Sequence, residues 1–457
     1  MRKRQEMPAN LCRRCVKSVA RLLSVLALGT LLLPAATNIY ILATSPGNLS
    51  EVLARHHLAL EEVLRNGIYE VTSAPGVSVS KLQKEIAGDD LVMRFEGDGT
   101  LGTTESKPGA KIQPSISALA RALSDHSTLN YFGAIVRGAY VHQPAAGLIE
   151  LPQALSRWGA GNTTVAVIDT GVDPNHPALR GVLVSGYDFT RNIAGPASEL
   201  ADLTQSTVAI LEQSTVAILE HKNAPVILNQ STVAILEQST VAILEGAKLP
   251  SEFGHGTMVA GLIHLVAPGA RIMPLKAFKA DGSSNLSDII KAIYYAVDHN
   301  ARVINMSFAT TSPSAELAAA VAYAKAHRVI CVAAAGNDGK EQAVYPASLG
   351  YVIGVGSTSL ADVRSPFSNF GDAAARTAAP GEALITTYPG NNYAGVWGTS
   401  FSSALVSGAA ALMTQISPYG SPSDFSDALA QGHRINQDMG DARLDIMSSL
   451  YYLSARH

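Results

Sequence analysis

Four polar residues of this chain end or follow apolar runs in a way that invites chemistry. Asp169 closes the strand-like run in "VAVIDTG", and His255 stands between two glycines in "GHGTMVAG". Asn337 lies in "AAAGNDG", and Ser400 opens "GTSFSSALVSGAAALM". An acid, an imidazole and a hydroxyl are the components of nucleophilic catalysis, because a serine hydroxyl is a weak nucleophile at neutral pH and needs a base within hydrogen-bond reach. Each residue alone has an ordinary explanation. Asp169 reads as a turn former at a strand end, His255 as a helix-end residue, Asn337 as a turn residue and Ser400 as a helix N-cap. Their joint occurrence in the order Asp, His, Ser, each inside its own glycine-bearing motif, favours the catalytic reading.

The elements that must hold these residues are legible around them. "TTVAVIDTG", "RVINMSFAT", "RVICVAAAGNDG" and "YVIGVGSTS" are short β-branched runs that stop at small or polar residues. Continuous rather than alternating apolarity predicts strands buried on both faces. Stretches at helical spacing, "LSDIIKAIYYAVDHNA" and "PSAELAAAVAYAKAH", lie between them, and this alternation predicts a parallel α/β sheet. Ligands in such sheets bind at the carboxyl ends of the strands, where the candidate residues fall.

"VAVIDTGVDPNHPAL", "GHGTMVAG", "VINMSF", "AAAGND" and "GTSFSSALVSGAAAL" together resemble the motifs of the subtilisin-like serine peptidases, the subtilase family, in that family's order. The resemblance covers roughly Leu148 to Leu450. It implies a three-layer α/β fold with a mostly parallel central sheet. It also implies an endopeptidase acting through an acyl-enzyme, with polypeptides as substrates. His255 would take the proton of Ser400, Asp169 would orient the imidazole, and Asn337 would supply an oxyanion donor beside the Ser400 backbone N–H. Ser307, Phe308 and Ala309 would line one wall of the specificity pocket and Ala333–Gly336, including Ala335 and Gly336, the other, for a medium-sized apolar side chain. Ala178 stands where an aspartate ligand to calcium is usual, so neither metal nor cofactor is expected. The resemblance further implies a propeptide at residues 43–142, with an uncut regulatory domain as the alternative, and a peptidase domain at 143–457. The competing class is a catalytically silent subtilase-fold binding or adhesion protein.

The remaining features concern export and an insertion. Net charge is −3, with no long basic run beyond the N-terminus, which argues against nucleic acid. "MRKRQEMPANLCRRCVK" precedes an apolar stretch, Leu22–Leu42, laid out as an export signal or retained membrane anchor within residues 1–42. Membrane contact would run through residues 18–42, and the rest of the chain would be exported. Three cysteines give no disulfide framework, and Cys331 reads as a core residue. In the region 43–142, "NLSEVLARHHLALEEVLRNG" and "SISALARALSDHS" read as helical, "DLVMRFEGDG" as a strand and "GTLGTTESKPGAKIQPS" as a loop. Finally, "QSTVAILE" occurs four times between Gln205 and Glu245, within an apparent insertion at about 191–250.

Overall fold

A computed structural model of the chain describes residues 38–103, 126–203, 232–235, 249–250, 252–435 and 437–456. The first unit is a four-stranded antiparallel sheet. Its strands are β1 (Ile39–Thr44), β2 (Leu58–Arg65), β3 (Ile68–Ser73) and β4 (Val92–Gly97), in the order β2-β3-β1-β4. Helices α1 (Leu49–Arg55) and α2 (Val79–Ile86) cover one face. Tyr40 and Leu42 of β1 join Val52, Tyr69, Val71, Leu82 and Ile86 there, whereas Ile41 joins the buried cluster of the larger unit. β1 is thus apolar on both faces because it is covered on both. Residues 39–42 are therefore strand, which corrects their assignment to the signal or anchor; residues 1–37 lie outside the described ones. Among the described residues no helix is long and apolar enough to cross a membrane.

"NLSEVLARHHLALEEVLRNG" is not one helix. It breaks at His57, whose φ is +52°, and its second half is β2, paired with β3 from Leu58↔Ser73 to Arg65↔Ile68. Cross-strand pairing has overridden the helical spacing, since Leu58 can bury itself only as part of the sheet. "DLVMRFEGDG" forms β4 as read, and "SISALARALSDHS" falls almost wholly outside the described residues.

The larger unit is built on strands in which every residue between Thr164 and Asp169, Val303 and Met306, and Ile330 and Ala334 is buried. Beyond the short strand β5 (Thr100–Gly102) and the hairpin β6 (Thr128–Tyr131) with β7 (Ala134–Arg137), the chain passes α3 (Leu151–Trp158). It then enters β8 (Thr164–Asp169), β9 (Gly186–Asp188), β10 (Ile193–Gly195) and β11 (Thr232–Ile235). Next come α4 (His255–Val266), β12 (Arg271–Lys276), β13 (Ser283–Asn285), α5 (Leu286–Asp298), β14 (Val303–Met306) and α6 (Ala315–Ala326). β15 (Ile330–Ala334), β16 (Val352–Thr358), β17 (Thr377–Pro380), β18 (Leu384–Tyr388) and β19 (Asn392–Val396) follow. The chain closes with α7 (Thr399–Ile416), α8 (Pro422–Leu429) and α9 (Ile446–Ser454).

The central sheet has the order β10-β9-β12-β8-β14-β15-β16-β17, parallel except for β10. Alternate residues feed two cores. Val165, Val167, Val303, Ile330 and Val332 face the cluster with α4 and α7, while Ala166, Ile168, Ile304, Met306 and Cys331 face the one with α5 and α6. This is the expected three-layer α/β fold. Cys331 is buried, and burial pushes its thiol up to about 12, so it is an inert packing residue.

The limits of the insertion differ from those read in the sequence. β10 pairs with β9, and the turn Glu199–Asp202 is bonded to the loops after β8 and β12, at Thr170 and Ala280, so residues 191–203 belong to the core. Of the repeats, Thr232–Ile235 of the third copy is described. It pairs antiparallel with β19, from Thr232↔Val396 to Ile235↔Ala394, with one irregularity.

One buried group gives the larger unit an acid-labile point. His264 on α4 is 1% exposed, packs edge-on to Tyr131, and has no hydrogen-bond partner on either ring nitrogen among the described residues. Burial, with a smaller push from His176, lowers its pKa to about 4. The folded state keeps it neutral while the unfolded chain protonates near 6.5, so its contribution is complete above about pH 6.5 and is lost as pH falls toward 4. The melting temperature should therefore drop across that window, and less steeply in His264→Leu. Parallel slopes in thermal melts of the two proteins would contradict the assignment.

Candidate active site

Asp169 is the last residue of β8, at the carboxyl end of the sheet, and is 1% exposed. Its Oδ1 accepts from the Thr170 N–H at 2.7 Å and lies 2.7 Å from His255 Nδ1. His255 is the first residue of α4, with Gly254 before it at φ +93°. Glycine is required on both sides of the contact. A Cβ on Gly256 would lie 2.0 Å from the Gly171 carbonyl oxygen, and one on Gly254 would lie 2.6 Å from the Tyr388 ring. The two motifs "DTG" and "GHG" are thus the two surfaces of one backbone contact. It brings the carboxylate and the imidazole together.

Ser400 is the second residue of α7, not its N-cap; Gly398 holds that position with φ +148°. Its Oγ lies 3.3 Å from the Ser307 carbonyl oxygen, and the next residue, Phe401, sets its ring 5.6 Å from the His255 ring. Asn337 follows β15, and its Oδ1 accepts from Thr399 N at 3.0 Å and from Thr399 Oγ1 at 2.9 Å. With Oδ1 held there, the planar amide turns Nδ2 away from Thr399. Thr399 Oγ1 in turn accepts from Gly336 N at 3.1 Å, so one threonine ties the Asn337 loop to the start of α7. Asp169 and Asn337 stand at and beyond the carboxyl ends of the interior strands β8 and β15, and His255 and Ser400 in the first turns of α4 and α7. The cavity of about 1030 Å³ bounded by Asp372, Arg376, Ser426, Arg434 and Asp441 contains none of them.

The profile of the subtilase family matches residues 160–445. The chain belongs to the subtilase family. Similar proteins include the thermophilic serine proteinase of Bacillus sp. strain AK1, 35% identical over 56% of this chain and 53% of that protein. Subtilisin BL of Lederbergia lenta is 39% identical over 36% of this chain and 64% of that protein. Thermitase of Thermoactinomyces vulgaris is 30% identical over 58% and 79% respectively. The chain thus spans little more than half the length of the first and under two thirds of the second. Among solved structures, fervidolysin of Fervidobacterium pennivorans, described as a keratinolytic enzyme related to subtilisin, superposes with a TM-score of 0.65 at 19% identity. That superposition covers 91% of this chain and 61% of fervidolysin, and it shows the shared fold.

The residues that the resemblance places at the specificity pocket occupy unequal positions in this subtilase. The Ser307 side chain turns inward, accepting from Asn305 Nδ2 at 2.8 Å and lying 3.2 Å from the Ser400 carbonyl oxygen. Phe308 is fully buried against Phe278. Ala309 and Gly336 face each other closely, since a Cβ on Gly336 would come within 3.8 Å of the Ala309 Cβ. Ala335, just beyond the end of β15, is buried.

Sequence reasoning missed Thr399, Thr170 and Glu199. Thr399 is adjacent to Ser400 in "GTS", which was the available signal; Glu199 carried none. If Thr399 fixes Asn337, Thr399→Val should lower kcat on a chromogenic peptide roughly tenfold with little change in KM, the scale of one or two lost neutral hydrogen bonds. A kcat unchanged by the substitution would remove Thr399 from the site.

Proposed function

We propose that this subtilase is an exported serine endopeptidase acting through Asp169, His255 and Ser400, in a form whose own N-terminal unit fills the cleft. His255 Nε2 takes the Ser400 proton as Oγ attacks the scissile carbonyl, and Asp169 accepts the Nδ1–H and stabilises the imidazolium. Asn337 Nδ2 and the Ser400 N–H, at the positive end of the 18-residue α7, stabilise the oxyanion. The imidazolium then protonates the leaving amine, and water repeats the sequence on the acyl-enzyme. The observation that carries the reading is the 2.7 Å Asp169–His255 contact beside a serine at a helix start. The basic-then-apolar N-terminus supports export.

The second half of the proposal rests on β5. The stretch around it reads as loop in the sequence, yet Thr100–Gly102 runs antiparallel to β13, with Leu101 opposite Ser284. Thr103 donates its N–H to the Gly282 carbonyl at 3.0 Å and bridges antiparallel to Phe308 on its other side. This is how an extended peptide substrate is held, through its backbone between two strands, with a side chain in a pocket. Leu101 is buried in the same cluster as Phe278, Leu286 and Phe308. The unit behind this strand is docked by charge. Glu96 accepts from Ser314 Oγ and from the N–H groups of Ala315 and Glu316 at the start of α6, and Asp98 from the N–H and hydroxyl of Ser287 at the start of α5. Arg94–Glu316 and Lys291–Glu62 add ion pairs. These contacts support a propeptide that inhibits by occupying the cleft.

Two outcomes follow. The chain that continues from Thr103 should carry the first bond cut. N-terminal sequencing of the expressed protein should give a start shortly after Thr103, and Ser400→Ala should stay uncut and unlabelled by a fluorophosphonate probe while folding normally. Processing of Ser400→Ala at the same bond, or no labelling of the processed wild type, would leave the silent binding protein as the better reading. Replacing residues 204–248 by a short Gly-Ser joint should leave small-peptide kcat/KM within about threefold, because loop length affects closure entropy only slowly. Loss of that activity would make the repeats part of the catalytic fold.

A further inference from the structure

Behind the Asp169–His255 pair lies a carboxylate that the mechanism above does not use. Glu199 comes from the turn after β10 and is fully buried. Its Oε2 accepts from the Gly254 N–H at 3.0 Å and from Thr170 Oγ1 at 3.2 Å, and its Oε1 from the Thr257 hydroxyl. Both hydroxyls are themselves acceptors. Thr170 Oγ1 receives the Gly256 N–H at 3.0 Å, and Thr257 Oγ1 receives the Asp173 N–H at 2.8 Å. Each therefore directs its one proton at Glu199, so three donors converge on a single carboxylate.

These donors belong to the two segments that carry the catalytic pair. Thr170 follows Asp169, and Gly254, Gly256 and Thr257 surround His255 in the first turn of α4. We propose that Glu199 is a positioning residue that locks the Asp169 loop to the His255 helix start, fixing the geometry of the pair without touching substrate. This rests on the proposed serine-peptidase reading. The location lets the carboxylate accept the N–H of Gly254, the N-cap of a 12-residue helix. It also suits a tight wedge, because a Cβ on Gly171 would lie 2.7 Å from Glu199 N, and Val172 N donates to Ala197 O at 2.9 Å.

The charged groups around it are set against one another. Asp173 and Asp169 face it from the loop after β8 and from β8 itself, and Lys276 from the end of β12. Lys276 is bonded to Asp202 and to the Thr170 carbonyl, and Tyr388 of β18 lies near enough to feel the charge. Burial, the largest influence, pushes the Glu199 carboxyl up to about 8; the Thr257 hydroxyl bond and Lys276 oppose it, while Asp173 and Asp169 add to it. Ionisation strengthens all three bonds to Glu199, so the lock tightens as pH rises through that value. A wild-type kcat component rising near pH 8 is the expected signature.

The test compares processed wild type, Glu199→Gln, Glu199→Ala and Thr170→Val, each normalised to folded protein by circular dichroism. Labelling of the wild type by a fluorophosphonate first establishes the serine-peptidase reading; if the wild type is not labelled, that reading fails, whatever Glu199 does. Given labelling, Glu199→Ala should lower kcat about thirtyfold and Thr170→Val about fivefold, with KM within about twofold, as for an interaction that holds the catalytic groups rather than the substrate. Glu199→Gln keeps the shape and should recover part of the loss, but without the component near pH 8. Wild-type kcat per folded molecule in Glu199→Gln and Thr170→Val, or a Glu199→Gln profile that keeps that component, overturns the proposal. So does a change confined to melting temperature or KM.

Discussion

A buried carboxylate facing a buried imidazole is the constraint to which the rest of this fold answers. Removing Asp169 from water is costly, and the compensation falls on Oδ1, bonded to Thr170 N and His255, while Oδ2 is buried with no hydrogen-bond partner among the described residues. The His255 contact requires the start of α4 to sit against the loop after β8 with no side chain between. Gly171 and Gly256 meet that requirement as a pair, and Gly254 leaves the helix by a backbone conformation that L side chains rarely adopt. The same economy of volume recurs where α7 crosses α4. A Cβ on Gly408 would lie 2.6 Å from the Val266 Cβ, so the helix bearing Ser400 approaches the helix bearing His255 only because that position is bare. Small residues along α7 are geometry, not weakness.

The N-terminal unit shows a second use of helix ends. α5 and α6 lie side by side on the outer face of the sheet, and their first turns present N–H groups with no partner inside the helix. Glu96 and Asp98, at the end of β4 and just beyond it, meet those groups. The arrangement gives the docked unit a fixed register. With β4 pinned at two helix starts, the chain emerging from it continues as β5 directly along β13 and reaches Phe308 at Thr103. Docking by charge and the backbone pairing of β5 with β13 are therefore one continuous structure. The shared face is apolar as well, since Ile41 and Ile68 lie in the same cluster as the residues of α5.

Much of this was written in the order of the residues. Strands buried on both faces have no choice but continuous apolarity, so β8, β14, β15 and β16 were visible, and with helices between them the parallel sheet followed. The Asp, His, Asn and Ser motifs were legible because each couples a reactive group to the glycine or threonine that its backbone geometry demands. What the sequence obscured were segments whose conformation is set by a distant partner. "LALEEVLR" has helical spacing and becomes strand because β3 offers an edge; "IYILA" looks like the end of a membrane stretch because it is covered on two sides; "TLG" looks like loop because its hydrogen bonds are all made to β13. Glu199 belongs to the same class. It stands 56 residues before His255, and nothing in its neighbours announces a buried acid. Local patterns record which face of an element is dry and which backbone angles it must adopt, and these the chain determined by itself. Which groups meet across the fold depends on the closing of long loops, and that only the tertiary structure decided.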